Sequence, residues 1–259
     1  MKIACVQMDM AFAAPEVNFP KARELVRRAA ESGADVMVLP ETWNVGFFPK
    51  EDLLSLADEN AARTKAEMGA LARELSVNLV AGSVAERRGD KVYNTALVFD
   101  RQGECVAEYR KSHLFSPMGE DAYFAAGSSR CRFTLDGVSC GLITCYDIRF
   151  PELTRAMAVE GMDMLFCVAQ WPDVRMEHLK VLTRARAIEN QMFLACCNSC
   201  GTAEGTRFGG GSAIIDPWGQ VLAQAGEGEE ILTAECDLTV LGGIRESIHV
   251  FRDRHQEVY

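Results

Sequence analysis

The chain has 259 residues, 48% of them hydrophobic and 25% charged, and its 27 basic residues against 37 acidic ones leave a net charge of −10 at neutral pH. That length suits one large domain, residues 1–259, with its own core. The acidic balance argues against a nucleic-acid binder that tracks phosphates and against a polybasic membrane anchor.

The opening MKIACVQMDM reads as a strand over Lys2 to Met8. It has neither the apolar stretch nor the small-residue cleavage site of a secretory signal. No run of about 18 apolar residues follows, so no membrane span is expected. Without a secretory signal, the ten cysteines read as reduced thiols of a cytoplasmic protein, most of them small core residues.

A helix is expected over Lys21 to Ser32, with Leu25, Ala29 and Ala30 on one face, then a short buried strand over Asp35 to Leu39. Glu59 to Leu75 reads as a helix and Val77 to Val84 as a strand. Two hairpins follow. Val92–Phe99 and Glu104–Tyr109 flank Asp100-Arg101-Gln102-Gly103, and Arg130–Leu135 and Val138–Thr144 flank Asp136-Gly137. Beyond Cys145 come a helix from Pro151 to Glu160, a strand from Met164 to Ala169, a helix from Met176 to Asn190 and a strand from Met192 to Cys197. Strands at Gly211–Ile215, Val221–Ala223 and Glu230–Cys236 complete the pattern.

Such alternation describes α/β layers around mixed sheets, with too many strands for one modest open sheet, so two sheets packed face to face are expected. Two halves show a similar layout. One apolar strand, VMVL, ends at Pro40-Glu41, and another, GLIT, ends at Cys145. Strand carboxyl ends are where open α/β sheets place their ligands.

Taken singly, the chemical candidates have ordinary readings. Cys145 stands between a strand and a helix start, a position that favours thiolate chemistry, but a core cysteine is the commoner case. Glu41 follows a buried strand and would need solvent or a partner there, yet a loop carboxylate at a helix start would also fit. Lys111 in EYRKSHLF could be an edge-strand lysine. His113 could be a protease-like base for a cysteine, but no Asn or Asp partner can be placed for it. Cys197 and Cys200 form a C-x-x-C without the second ligand pair that zinc would want. Gly209-Gly210-Gly211 lacks the lysine of a phosphate loop, and Glu177-His178 belongs to no H-E-x-x-H motif.

Three segments then come together in order: LPETW with Glu41, YRKSHLF with Lys111, and ITCYDIRFPEL with Cys145. They resemble the signature segments of the nitrilase, or carbon–nitrogen hydrolase, superfamily. The resemblance continues through RARAIENQ (Arg184 to Gln191) and SAIIDPWGQVLA (Ser212 to Ala223), so it covers nearly the whole chain.

The resemblance implies a four-layer α-β-β-α sandwich with two mixed sheets and a Glu-Lys-Cys triad of Glu41, Lys111 and Cys145. It places a second glutamate at Glu120 in MGEDAYFAAG, adjacent to Asp121. Cys145 would attack an amide carbonyl, Glu41 would carry the proton, and Lys111 with the backbone N–H of Tyr146 would hold the oxyanion. No metal or organic cofactor is implied. KSHLF, CYDIRFPEL, IDPWGQVLA and the terminal IRESIHVFRDRHQEVY look most like the ω-amidase branch, whose members hydrolyse 2-oxoglutaramate and related dicarboxylic monoamides. True nitrilases show Cys-Trp-Glu where this chain has Cys145-Tyr146-Asp147, which argues against nitrile activity.

A substrate carboxylate would need a cation, for which Arg149, Arg175 and Arg207 are the candidates; Arg149 could instead pair with Glu152. Trp171 would wall the carbon chain. The expected partner is a small-molecule amide, with neither nucleic acid nor membrane. A homodimer is expected, reached through the arm HVFRDRHQEVY that carries Val250, Phe251, Val258 and Tyr259. The competing readings are a general aliphatic amidase or a carbamoyl amino-acid hydrolase. From other classes come a catalytically idle binding protein, which would have no chemical reason to keep all three triad residues, and a C-x-x-C metal or redox module.

Overall fold

A computed structural model describes residues 1–258; Tyr259, at the tip of the expected dimer arm, lies outside the described residues. The strands are β1 (Lys2–Gln7), β2 (Val36–Val38), β3 (Asp58–Glu59), β4 (Asn78–Arg88), β5 (Lys91–Phe99), β6 (Cys105–Arg110), β7 (Arg132–Leu135), β8 (Val138–Thr144), β9 (Met164–Ala169), β10 (Phe193–Asn198), β11 (Cys200–Ala203), β12 (Thr206–Gly209), β13 (Ala213–Ile215), β14 (Val221–Gln224) and β15 (Glu230–Glu235). The helices are α1 (Pro15–Ala30), α2 (Leu53–Leu56), α3 (Ala62–Leu75), α4 (Pro151–Ala158), α5 (Met176–Asn190) and α6 (Val240–Ser247).

Two large sheets carry the fold. One runs β15-β1-β2-β4-β5-β6 with β3 beside β4, and the other runs β14-β13-β10-β9-β8-β7. Strand alternation builds the layers. Ile3, Cys5, Val36, Val38, Val80 and Val98 of the first sheet face Leu142, Met164, Phe166, Val168 and Cys197 of the second. The opposite faces, Ala4, Val6, Met37, Leu39 and Leu79, receive Phe19, Leu25 and Val26 of α1 and Met68 and Leu71 of α3. Ile143, Leu165 and Cys167 receive Met157 of α4 and Leu179 and Ala187 of α5. The result is the expected α-β-β-α sandwich.

The two halves do repeat, one strand away from the expected pairing. Each large sheet has three parallel strands, β1-β2-β4 in one and β8-β9-β10 in the other. Each triplet is flanked by an antiparallel edge strand (β15 or β7) and continued by an antiparallel pair (β5-β6 or β13-β14). By topology β2 therefore matches β9, not β8, and β8 matches β1. The ends of β2 and β9 meet across the sandwich, where the Glu41 N–H donates to Ala169 O at 3.4 Å.

Several local expectations need correction. α1 starts at Pro15, six residues before the expected Lys21, because proline suits the first turn of a helix; Pro20 is also tolerated inside it. Cys197 lies in β10, Cys200 and Gly209 pair in a hairpin, β11–β12, and the stretch before the arm is helix α6 despite Gly242-Gly243. Phe251 packs on the α4–α5 side and lies 5.7 Å from the Arg155 and 5.9 Å from the Arg245 guanidinium carbon. No helix among the described residues is long and apolar enough to cross a membrane.

Candidate active site

Glu41 is delivered by the turn after β2. That turn fits against a bulge in β4 between Val80 and Ser83. Gly82 sits in the bulge with φ +61°, and a Cβ there would lie 2.1 Å from Pro40 O, so the close approach requires glycine. Ser83 then donates its N–H to Pro40 O (3.1 Å) and accepts the Thr42 N–H on Oγ (2.9 Å), which holds the turn from both sides.

Lys111 is the first residue beyond β6, its N–H still bonded to Asn94 O at 2.9 Å. Its Nζ donates to Glu41 Oε1 at 2.8 Å and to both oxygens of Glu120 at 2.9 Å. Glu120 sits in a short turn and accepts the Phe115 N–H at 2.6 Å. Asn94 Nδ2 donates to Glu41 Oε1 at 2.8 Å and to Glu120 Oε1 at 3.4 Å, and the Gln170 N–H donates to Glu41 Oε2 at 2.8 Å. Gln170 is braced in turn by the Thr42 hydroxyl at 2.8 Å.

Cys145 follows β8 with φ +48°, a left-handed conformation uncommon for a residue with a side chain. Strained backbone of this kind clusters at functional sites. The turn continues as a short helical segment, Cys145–Arg149, held at its start by the Thr144 N–H on Asp147 Oδ2 at 3.0 Å.

Glu41, Lys111, Glu120 and Cys145 are each at most 8% exposed. Burial pushes the Cys145 thiol well above its ordinary value, and the Glu41 charge adds to that against the pull of Lys111. Burial likewise raises Glu41, with Lys111 opposing. Burial alone would lower Lys111, but Glu120 and Glu41 together more than reverse it and keep the ammonium charged. Cys145 thus rests as a neutral thiol, and Lys111 as an ammonium held by hydrogen bonds to Glu41 and Glu120.

These residues share one pocket of about 510 Å³, its open mouth included. Phe47, Phe48, Phe115, Phe124 and Trp171 give it apolar walls, and Tyr146, Arg149 and Arg175 line it as well. The Arg149 guanidinium lies 4.8 Å from the Trp171 ring and contacts His178 Nδ1 at 3.1 Å, so it does not take Glu152 as its partner. The Arg175 guanidinium lies 5.0 Å from the Phe115 ring. Trp171 is fixed by its Nε1–H on Arg175 O at 2.8 Å.

Arg207 does not belong to the site: it is on β12, more than half exposed, and pairs with Glu227 at 2.5 Å. His113 is not a base for Cys145 either, because it pairs with Asp147 at 2.8 Å. Cys197 lies between the sheets with its Sγ within hydrogen-bond reach of Val6 O (3.3 Å) and Val38 O (3.1 Å). No group of three His, Cys, Asp or Glu side chains among the described residues could hold a metal ion. Asn94 and Gln170 escape the sequence reading, since only the fold brings the middle of one strand and the end of another to Glu41.

Comparison with known proteins gives a consistent picture. A family model described as carbon-nitrogen hydrolase matches residues 2–246. The 2-oxoglutaramate amidase of Bacillus subtilis (strain 168) is 44% identical over 99% of this chain and 98% of its own length. Omega-amidase NIT2 of Homo sapiens is 31% identical over 100% of this chain and 96% of its own. Among solved structures, an amidase from Nesterenkonia sp. AN1 superposes with a TM-score of 0.89 at 28% identity, covering 100% of this chain and 95% of that one. That protein was captured with the acetamide moiety of fluoroacetamide covalently added at its active-site cysteine.

Proposed function

The chain belongs to the carbon–nitrogen hydrolase family and hydrolyses amides; from that premise we propose that it is an ω-amidase that releases ammonia from 2-oxoglutaramate or a similar dicarboxylic monoamide. The observation that carries the substrate reading is the pair Arg149 and Arg175. Both line the pocket that holds Cys145, and neither has a carboxylate partner among the described residues. Burial and then the like charge of Arg175 push the Arg149 guanidinium below its ordinary value, so the pair is short of an anion. A free substrate carboxylate would satisfy both, while Trp171 and Phe115 flank the short carbon chain. The names of the 44% and 31% identical relatives point the same way.

In the proposed reaction Cys145 Sγ attacks the amide carbon as the thiol proton passes to Glu41. The oxyanion is held by Lys111 Nζ and the Tyr146 N–H. Collapse breaks the C–N bond, and Glu41 returns the proton to the leaving nitrogen, giving ammonia and a thioester on Cys145. Glu41 then takes a proton from water, whose oxygen attacks the thioester carbon. The second collapse frees the acid, and the proton goes back to the sulfur. Glu120 holds Lys111 and, through Asn94, the orientation of Glu41.

The test compares kcat/KM for 2-oxoglutaramate and succinamate with butyramide, a carbamoyl-β-amino acid and a simple nitrile. The two acids should lead by about 10² or more, the scale on which a site built around a polar group rejects a ligand lacking it. Butyramide equal to succinamate would make the protein a general aliphatic amidase, and a leading carbamoyl compound would make it a carbamoylase.

We also propose a cytoplasmic homodimer that engages neither nucleic acid nor membrane. Support for pairing comes from Val181 and Ile188 on the outer face of α5 and from Trp218 beside them, all exposed. Within the arm, Phe251 packs on its own chain, while Val258 is exposed. Light scattering should give twice 28.5 kDa; a clean monomer at micromolar concentration would refute the dimer.

A further inference from the structure

Lys111 and Cys145 belong to different sheets, and the layer between the sheets is apolar, which supplies cohesion without direction. Polar contacts cross this gap within the site, where Glu41 and Thr42 meet Gln170, and again outside the pocket lining, where Asp147 meets the segment around Lys111. Asp147 is fully buried and does not line the pocket. Its Oδ1 accepts the His113 N–H (3.0 Å) and His113 Nδ1 (2.8 Å). Its Oδ2 accepts the Tyr109 hydroxyl (2.8 Å) and the Thr144 N–H (3.0 Å). Two oxygens with four donors leave the ionised carboxylate no spare acceptor position, and Nδ1 must carry the imidazole proton.

The partners explain the arrangement. Tyr109 and His113 stand two residues before and two residues after Lys111, while Thr144 and Asp147 enclose Cys145. The His113 ring also stacks on Phe150, 3.7 Å away and 9° from parallel, so the far end of the cysteine turn is held as well.

We propose that Asp147 is a positioning residue that sets the placement of the Lys111 ammonium relative to the Cys145 thiol and the Tyr146 N–H. This rests on the amidase mechanism above, in which the oxyanion meets one donor from each sheet. A clamp made of directional hydrogen bonds supplies the sub-ångström placement that the packed layers leave loose. Its removal loosens the oxyanion donors more than the thiol and its base.

Asp147→Asn tests this, because at constant shape its amide NH2 must face a backbone N–H, of His113 or of Thr144, donor against donor. Tyr109→Phe is the milder companion, removing a single hydroxyl from a ring that otherwise stays packed. Two reactions are followed in each protein. One is succinamate hydrolysis, which needs the oxyanion donors. The other is alkylation of Cys145 by iodoacetamide, read on the Cys145 peptide by mass spectrometry. That reaction forms an S–C bond and expels iodide, with the thiol proton going to Glu41, and builds no oxyanion.

In Asp147→Asn, kcat should fall about 10²-fold, the scale of a misplacement of about 1 Å, with KM and the alkylation rate within about 3-fold of the parent. Tyr109→Phe should lose about 10-fold in kcat in the same selective way. Unchanged kcat in both variants would overturn the inference. So would equal losses in hydrolysis and alkylation, which would mean general damage to the site. Should Asp147→Asn fail to fold, Tyr109→Phe decides alone. A wild-type protein without amide turnover would instead remove the mechanism on which the inference rests.

Discussion

Cys145 follows an apolar strand of the second sheet and Cys197 lies within one; both are buried, and both have thiols pushed well above their ordinary value, chiefly by burial. What separates them is their surroundings. Cys197 meets two backbone carbonyls and the thiol of Cys5, none of which takes a proton or stabilises an anion. Cys145 opens onto a pocket, adopts a left-handed backbone that turns it out of its strand, and faces a carboxylate and an ammonium. A reactive cysteine is therefore not defined by a depressed pKa in the resting protein. In the proposed mechanism Glu41 is the base and Lys111 the cation, and charge on the sulfur is created only when substrate arrives to accept it.

The sharpest break of that comparison is Cys145→Ala. Amide turnover should fall at least ~10³-fold with the protein still folded, as expected when a nucleophile is deleted. Glu41→Gln and Lys111→Met should each lose a similar factor, but they differ in stability. Removing Lys111 strands two buried carboxylates and should cost about 3–5 kcal/mol in denaturant unfolding, whereas the neutral glutamine should cost less. A Lys111→Met protein as stable as the parent would mean that one of the carboxylates is already protonated.

Next in size is the anion pair. Arg149→Leu with Arg175→Leu should lower kcat/KM for succinamate about 10²-fold and leave butyramide within a few-fold. Equal losses on both substrates would place the guanidiniums in the architecture of the pocket and not in substrate choice.

The pH profile follows from the same electrostatics. Glu41 must be ionised to take the thiol proton, and its carboxyl is raised above the ordinary 4.5. Below that raised value it is protonated and cannot act as a base, so kcat/KM should fall on the acid side with an apparent midpoint above 4.5. Lys111 and Cys145 are raised well above 10.5 and 9.0, so neither should impose an alkaline limb below those values. A bell centred near neutrality would contradict this, because it would require a group that loses its proton there.

The smallest effects belong to the other cysteines. Cys197→Ala should leave kcat within a factor of about two and cost about 1 kcal/mol of stability, the typical size for a small core truncation. Dialysis against EDTA should leave activity unchanged. A loss restored by stoichiometric zinc would revive the C-x-x-C as a metal site.

Much of this was legible in the chain because the informative signals are local. β8 and β9 are apolar runs legible within their own residues, and Glu41, Lys111 and Cys145 each stand at a strand end within a recognisable segment. What the sequence hides is convergence. Asn94 lies mid-strand among apolar neighbours, and Gln170 follows a strand like many glutamines; their meeting with Glu41 depends on two sheets packing in one register. Arg149, Arg175 and Arg207 look alike in sequence, and only the path of the hairpin β11–β12 carries Arg207 to solvent. The repeat was visible as two strands ending in polar residues, but matching β2 to β9 needed the parallel order of both triplets.

The covalent intermediate is the most direct test of Cys145 as the nucleophile. Wild-type protein turning over succinamate should be quenched in acid within its steady state, digested, and read by peptide mass spectrometry. A succinyl thioester is expected on the peptide that contains Cys145 and none on the peptide that contains Cys197 and Cys200. Acyl mass on any other residue, or full turnover with every cysteine free of it, would rule out Cys145 as the nucleophile.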